Sequence, residues 1–290
     1  MGKRTDWLIQ RRAGIGGSDA AAVLNLSPWK SALELYCDKI GLNEIEDAEP
    51  DWLYWGKALE PVIAARYEKE TGRTLQDDGE FNIRRSAHYP WMCCTIDRSI
   101  LGDKPGILSI KNVVGFKKAE WADEPPVEYQ IQLQHEMIVL NRAWASFAVL
   151  FNGNDFGWYD VQRNDRFCAY LTQEEKKFWE RVQNMQPPPP DVPADSCREA
   201  LRRLYPNETG STITLPGEFI GLADRIEAIK EQAKSGKREL DAAENKLKAA
   251  IGDNTFAVLP NGITFSLKTT KRAGYAVEPT EFRTLRRVKG

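Results

Sequence analysis

Apolar and polar positions along the first 190 residues switch between helical and strand periods. A short helix is predicted over 6–10, with Trp7 as its apolar anchor. Arg11-Arg12-Ala13-Gly14-Ile15-Gly16-Gly17-Ser18-Asp19 follows, a glycine-rich turn feeding a helix over 20–24, with Ser18 or Asp19 suited to cap it. Ser27-Pro28-Trp29 stops that helix, and another runs over 31–40 to Gly41. Residues 51–71 read as a long amphipathic helix with Leu59, Val62, Ile63 and Tyr67 on its apolar side and Gly72 at its end. Strands are predicted over 91–100 and 106–114, joined by the turn-rich Leu101-Gly102-Asp103-Lys104-Pro105. Pro125-Pro126 precedes a helix over 127–141. A second hairpin, 144–151 with 156–162, surrounds Asn152-Gly153-Asn154-Asp155. A helix over 171–185 carries Phe178, Trp179 and Val182.

This order of helices, strand pair, helix, strand pair and helix is that of a mixed α+β core. Pro187-Pro188-Pro189-Pro190 is a stiff extended connector. It divides the chain into a core over 1–186, a Pro-rich linker over 187–215 and an appendage over 216–290. In the appendage, 222–251 holds seven basic and six acidic groups around a thin apolar stripe of Ile226, Ile229, Leu240, Leu247 and Ile251. Ser235-Gly236 interrupts the stripe, so two helices in an antiparallel hairpin are expected. A β-hairpin of 256–259 and 263–268 turns at Pro260-Asn261-Gly262. The mixed-charge helices fit a solvated hairpin or protein-contact arm better than a nucleic-acid reader. Trp29, Trp52, Trp55 and Trp91 are expected as core or packing residues rather than as base-stacking wedges.

Composition narrows the chemistry. With 42% hydrophobic residues in 290, the chain can bury one large core plus an appendage, which excludes a disordered, collagen-like or disulfide-stapled protein. No apolar run approaches the ~18 residues of a membrane span. The start, MGKRTDWLIQRRAGIGG, lacks an apolar signal core, so a cytoplasmic location is expected. Cys37, Cys93, Cys94, Cys168 and Cys197 have neither CxxC nor paired metal spacing and read as reduced thiols, with Cys93-Cys94 in the core. Only His88 and His135 are present, too few for a multi-histidine zinc site; a Ser-His-Asp site needs one histidine and stays open. Carboxylates, lysine and a hard cation are the more natural machinery. The net charge of −2 conceals an asymmetry, because 266–290 carries seven basic and two acidic groups and leaves the rest acidic. A basic tail suits either a polyanion or solvent.

The strand pair 91–114 holds the most informative residues. Alternation places Ile107, Ser109, Lys111 and Val113 on one face and Leu108, Ile110 and Asn112 on the other. A lysine in an apolar strand needs a carboxylate or a ligand to meet it, and Asp97 in the preceding strand is its natural partner. Two readings remain open: a buried Asp97–Lys111 ion pair, or a centre in which Asp97 holds Mg²⁺ and Lys111 serves the attacking water. Glu60, in Trp55-Gly56-Lys57-Ala58-Leu59-Glu60-Pro61, is a second hard oxygen ligand from a separate element or a solvated helix acid.

Four blocks in sequence resemble the YqaJ-type phage recombination exonucleases, relatives of lambda exonuclease with the PD-(D/E)XK nuclease fold. They are Gly14-Ile15-Gly16-Gly17-Ser18-Asp19-Ala20-Ala21 with Ser27-Pro28-Trp29; Trp55-Gly56 through Glu60-Pro61; Thr95-Ile96-Asp97 with Gly106-Ile107-Leu108-Ser109-Ile110-Lys111; and Tyr129-Gln130-Ile131-Gln132-Leu133-Gln134-His135-Glu136-Met137. The match covers roughly 7–185. It implies a restriction-endonuclease-like core, a central mixed sheet flanked by helices, followed by the C-terminal helical hairpin and β-hairpin. It further implies Asp97 and Glu60 as metal ligands with the Ile110 carbonyl, Lys111 as the motif lysine, and Gln134 and Gln132 as helix glutamines beside the site. Ser18 with Arg11 or Arg12 would recognise a 5′ phosphate, a role that a glycine-rich helix start beside an arginine also suits physically. The implied activity is Mg²⁺-dependent (or Mn²⁺-dependent) 5′→3′ digestion of double-stranded DNA ends. It would supply single strands to an annealing protein during phage recombination in a bacterial host. The family precedent adds a homo-oligomer of the trimeric-ring kind.

One position departs from the motif. The acid two residues before the lysine is Ser109 here, which brings no negative charge to a metal. Three accounts are open: Glu128 or Glu136 from the helix supplies the acid; the chain binds DNA ends without cutting; or Asp97, Glu60, the Ile110 carbonyl and waters suffice. An endonuclease on the same fold is a further alternative.

Overall fold

The computed structural model describes residues 2–45, 50–190, 195–271, 274 and 283–287. Arg272, Glu278, Glu281 and Lys289, four of the charges counted in the basic tail, lie outside the described residues, as does 191–194 of the expected linker. Two units are present, Met1–Pro206 and Asn207–Gly290. Among the described residues no helix is long and apolar enough to cross a membrane.

The first unit opens with helices α1 (Lys3–Arg12), α2 (Gly17–Val23), α3 (Ala32–Lys39) and α4 (Asp51–Thr71). Strands β1 (Leu75–Asp77), β2 (Arg84–Arg85), β3 (Cys93–Cys94), β4 (Arg98–Ile100) and β5 (Gly106–Val113) follow. A 3₁₀ turn at Gly115–Trp121 and helix α5 (Val127–Leu140) lead to β6 (Trp144–Phe151), β7 (Asp155–Gln162), α6 (Asp165–Gln183) and α7 (Asp195–Leu204). Five strands form one mixed sheet in the order β1-β4-β5-β6-β7. Only β5 and β6 run parallel, in register from Ile107 opposite Ala145 to Val113 opposite Phe151. Parallel neighbours require a crossover, and α5 supplies it.

Strand alternation explains why this sheet is covered on both faces. Ile107 and Val113 of β5 join Phe147, Val149, Leu133, Met137 and Trp121 in one cluster, under α5. Leu108 and Ile110 join Ile63, Ala64, Tyr67 and Ala148 in another, under α4. Each fully buried aliphatic or aromatic side chain contributes roughly 1.5–3 kcal/mol, so β5 is clamped from both sides. The expected apolar face of α4 holds for Ile63 and Tyr67, whereas Val62 is 63% exposed because it turns a third of a helical revolution away. Gly106 is a packing requirement, since a Cβ there would lie 2.7 Å from the Trp144 ring.

Several expectations are corrected. The strand expected over 91–100 is broken into two pieces with different partners: Cys93–Cys94 pairs with Arg84–Arg85, and Arg98–Ile100 pairs with β5. Residues 95–97 bridge them. The stretch after the prolines is not all linker, because α7 buries Cys197 and Ala200 against Leu35, Tyr36 and Cys37 of α3. Trp29, Trp52 and Trp55 are 57%, 75% and 56% exposed, so they are not core residues. Trp52 and Trp55 lie in the first two turns of α4, ahead of the Ile63, Ala64 and Tyr67 stretch that is buried.

In the second unit the helical hairpin is replaced by one continuous 34-residue helix, α8 (Glu218–Ile251). Ser235 and Gly236 continue the helical backbone, at the ~1 kcal/mol a mid-helix glycine costs. Strands β8 (Phe256–Val258) and β9 (Thr264–Ser266) form the expected hairpin.

Candidate functional site

The glycine-rich turn is built by close approach. Ile15 bridges in parallel to Met92, its N–H donating to the Trp91 carbonyl at 2.7 Å while Cys93 N–H donates back to Ile15 at 2.9 Å. A Cβ on Gly14 would lie 2.6 Å from the Trp91 oxygen, and one on Gly17 would lie 2.8 Å from Glu136 Oε1. Glycine at 17 therefore lets the start of α2 sit against α5 at the position of Glu136. The helix is capped from within: Asp19 Oδ2 accepts from Gly16 N–H at 3.0 Å and from Lys39 Nζ at 2.7 Å. Burial opposes ionisation of Asp19, but Lys39, Lys30 and Arg11 outweigh it and hold the carboxyl well below the usual range. Ser18 is thereby free of capping, and its Oγ accepts from Arg11 at 2.6 Å. Arg12 points elsewhere, to Asp38 at 3.2 Å and the Asn43 carbonyl at 2.5 Å. Arg11, Ser18, Lys30 and Lys39 line a hollow on the outer side of this turn.

Asp97 is placed by the end of a ladder. β4 stops pairing with β5 at Arg98 opposite Leu108, which leaves the Ile110 N–H on that edge without a strand partner. Asp97 Oδ2 accepts it at 2.6 Å. The Ile110 carbonyl leaves on the same edge as its N–H. Asp97 and Lys111 form no contact ion pair, which removes the simple structural reading of the two. Lys111 Nζ lies 5.1 Å from the Tyr129 ring of α5.

A cleft of about 490 Å³ opens here, lined by Glu60 and Lys57 of α4, Asp97, Gln132 and Glu136 of α5, and Arg11 and Ser18 at its rim. The electrostatics show that its acids share one space. Burial pushes the Glu60 carboxyl up to about 7; the charge of Asp97 adds to the push, and Arg98 and Lys111 oppose it. Burial likewise pushes Glu136 up to about 7, with Asp97 adding and the Gln132 hydrogen bond, Lys111 and His135 opposing. Gln132 Nε2 donates to Glu136 Oε1 at 2.8 Å, an i, i+4 pair on one face of α5. Arg98 stands 4.0 Å from Glu60 and 3.5 Å from Asp77.

Of the residues singled out in the sequence, Glu60, Asp97, Gln132, Ser18 and Arg11 meet at this cleft. Lys111 acts on it through its charge, and the Ile110 backbone borders Asp97. Gln134 is turned away: two residues from Gln132, it faces the opposite side of α5, donates to the Gln162 carbonyl at 2.9 Å and accepts from Asn164 N–H at 2.9 Å. It braces α5 to the end of β7. Ser109 is 2% exposed and its buried Oγ has no hydrogen-bond partner. Of the two acids considered as substitutes for it, Glu136 lines the cleft and Glu128 does not.

Sequence reasoning passed over the buried pairs that hold the site. His135 Nε2 donates to the Cys93 carbonyl at 2.9 Å, and Nδ1 lies 2.8 Å from Glu175 of α6. The contact ties α5, next to Glu136, to β3 and α6. Neither this pair nor Asp19–Lys39 has a local spacing signature, since 40 and 20 residues separate the partners.

The donor set fits a hard divalent cation. Every candidate ligand is a carboxylate or carbonyl oxygen, and burial pushes the adjacent Cys93 and Cys94 thiols up, so they offer no thiolate. Among the described residues no three His, Cys, Asp or Glu side chains close into a finished metal cage. Mg²⁺ tolerates that arrangement, because it commonly keeps several waters and takes one or two carboxylates.

A central β5 carrying the lysine, a carboxylate at the end of the neighbouring strand, a glutamate on the preceding long helix and a crossover helix behind define the PD-(D/E)XK nuclease fold. The crystal structure of the alkaline exonuclease LHK-Exo from Laribacter hongkongensis shares this fold: TM-score 0.50 and 22% identity over 62% of this chain and 93% of that one. So does LHK-Exo in complex with dAMP, at TM-score 0.50 and 20% identity over 69% and 96%. The YqaJ-like viral recombinase domain matches residues 6–143. The uncharacterized protein YqaJ of Bacillus subtilis (strain 168) is 32% identical over 263 residues, 89% of this chain and 81% of its own length. The chain belongs to the YqaJ family.

Proposed function

We propose that this chain is a divalent-metal-dependent deoxyribonuclease that degrades linear duplex DNA from 5′-phosphorylated ends, in the 5′→3′ direction, and leaves single strands for an annealing protein. The observation that carries the reading is the gathering of Glu60, Asp97 and Glu136 in one cleft whose rim holds the Arg11–Ser18 pair. The name of LHK-Exo, an alkaline exonuclease, supports the same chemistry. Asp97 and Glu60, with the Ile110 carbonyl, would hold the cation, Mg²⁺ or Mn²⁺. When bound, the ion supplies the charge neutralisation and nucleophile activation that phosphodiester hydrolysis needs.

The chain's own groups do the rest. Lys111 offsets negative charge on the scissile phosphate. Arg11 and Ser18 present N–H and O–H donors to a terminal phosphate beside the start of α2. Glu136 provides the carboxylate that Ser109 does not, held in orientation by Gln132. Homo-oligomerisation as a trimeric ring and a cytoplasmic setting belong to the same reading.

The test is mononucleotide release from a 5′-phosphorylated linear duplex with Mg²⁺ or Mn²⁺. Release by the native chain, lost in Lys111→Ala and in Glu136→Gln and unimproved by Ser109→Glu, supports the proposal. The buried, unpartnered Ser109 hydroxyl favours a second reading, a silent end-binding protein. That reading is supported if the native chain retains end binding without cleavage and Ser109→Glu restores it. Cutting of closed circles would point to an endonuclease instead.

A further inference from the structure

Helix α8 is 34 residues long, about 50 Å, and of all its side chains only Ile251 is buried. From Phe219 to Ala250 its small and apolar residues recur without a break at alternating steps of three and four. That is the seam of a coiled coil, not the broader face of a helix packed on a globular core. Leu222, Ile229 and Leu240 on this seam are 51%, 53% and 57% exposed. Its middle is Gly236, where an added Cβ would meet nothing within 4 Å. A glycine there weakens the lone helix and serves nothing in it.

The geometry points to a second copy of α8 as the occupant of this seam, packed antiparallel about a two-fold axis near residue 231. In antiparallel coiled coils each seam position faces the complementary position of the other helix. In this register Phe219 faces the partner's Ala243, Ile226 the partner's Gly236 and Ile229 the partner's Ala233, while Leu222 faces the partner's Leu240. Large side chains thus meet small ones, and Gly236 makes room for isoleucine.

The flanking charges select the same register independently. The positions that border the seam on one side are Glu218, Arg225, Gln232, Glu239 and Lys246. The antiparallel pair sets Glu218 against the partner's Lys246 and Arg225 against the partner's Glu239, each twice by symmetry. A parallel pair would set Arg225 against Lys230 and Glu239 against Glu244, like charges in both cases. Other charges of α8 are already tied within the helix: Lys230 to Glu227 at 2.8 Å, Lys237 to Asp241 at 3.4 Å and Lys248 to Glu244 at 2.7 Å. Glu218, Arg225, Glu239 and Lys246 make no ion pair among the described residues. Lys230, which meets its own copy across the axis, has Glu227 beside it to screen the contact.

The test uses the full chain with Gln232→Cys, a position that faces itself across the axis; the five native cysteines are buried. A short bismaleimide is expected to give a covalent dimer at micromolar protein. Adding Arg225→Glu is expected to weaken association by about tenfold, since two symmetric contacts turn repulsive. Adding Glu239→Arg as well is expected to restore it. All three substitutions lie on exposed helix positions and leave the nuclease unit untouched, so the result is independent of the catalytic reading. Absence of the cross-link, failure of the double reversal to rescue, or tighter association with Arg225→Glu alone, the mark of a parallel pair, would each overturn the proposal.

Discussion

Glu136 is a carboxylate at 2% exposure facing Asp97, and replacing it with glutamine separates its electrostatic cost from its packing. Glutamine keeps the shape and an oxygen that can still accept from Gln132. In the metal-free folded protein, burial pushes the carboxyl up to about 7, against 4.5 for an ordinary glutamate. The folded state therefore binds this proton more tightly than the unfolded chain. Its contribution to stability is complete below pH 4.5 and is lost as pH rises through 7. A displacement of that size corresponds to about 3 kcal/mol. In EDTA at pH 8, Glu136→Gln is expected to be more stable than the native chain by up to that amount, a rise in Tm of roughly 5–10 °C for a unit of this size. At pH 4 the two should converge. Thermal melts followed by circular dichroism would read the difference. Added Mn²⁺ should then stabilise the native chain more than the variant. A variant less stable than the native chain at pH 8 in EDTA would refute the reasoning and make Glu136 a structural acceptor.

Other consequences can be checked as directly. Asp97→Ala strands the Ile110 N–H and should cost about 1–3 kcal/mol in urea melts, whereas Asp97→Asn keeps an acceptor and should fold nearly normally while losing cleavage. Gly17→Ala drives a Cβ into Glu136 and is expected to destabilise by about 1–3 kcal/mol, with Gly56→Ala, which meets open space, as the neutral or stabilising control. Lys39→Met removes the only cation in direct contact with Asp19 among the described residues and leaves a 4%-exposed carboxylate with the more distant Lys30 and Arg11 charges and the Gly16 N–H, so a loss of up to about 3–5 kcal/mol is expected at pH 7. Because the folded-state pKa of Asp19 is depressed, its contribution to native stability is present above pH 4 and fades as the solution is acidified further; an acid titration that moves the other way would contradict the pairing. Arg11→Ala should weaken use of 5′-phosphorylated ends more than of 5′-hydroxyl ends, measured as a ratio of kcat/KM.

Local periodicity made the elements legible. The 3.6 spacing of Ile63 and Tyr67, the turn chemistry of Asn152-Gly153 and the proline stop before Val127 are all short-range signals, and the corresponding elements fall where those signals put them. What escaped is what depends on partners distant in the chain. The stretch 91–100 is uniformly strand-like, yet it is split because β2 and β5 compete for its two ends. Helix α7 carries too few apolar residues to announce itself, and its burial depends on α3. Ser235-Gly236 reads as a breaker by propensity alone, but a single glycine does not end a helix that is otherwise rich in Ala, Lys and Glu. In the site, Asp97, Lys111 and Glu60 stood out as charges in apolar settings. Gln134 was misplaced because spacing by two puts it and Gln132 on opposite faces of α5. The sequence narrowed the substitute acid to Glu128 or Glu136, and only the folded chain, by setting Glu136 in the cleft with Asp97, separates the two.

The central claim is that the carboxylates of Asp97 and Glu60, with Glu136 behind, create a site for a divalent ion. Titration of the purified chain with Mn²⁺, with free ion counted by electron paramagnetic resonance, addresses it without any substrate. Saturable binding at micromolar to millimolar Mn²⁺, abolished in Asp97→Asn and competed by Mg²⁺, is the expected result. Binding that is absent in the native chain, or undiminished in Asp97→Asn, would contradict it.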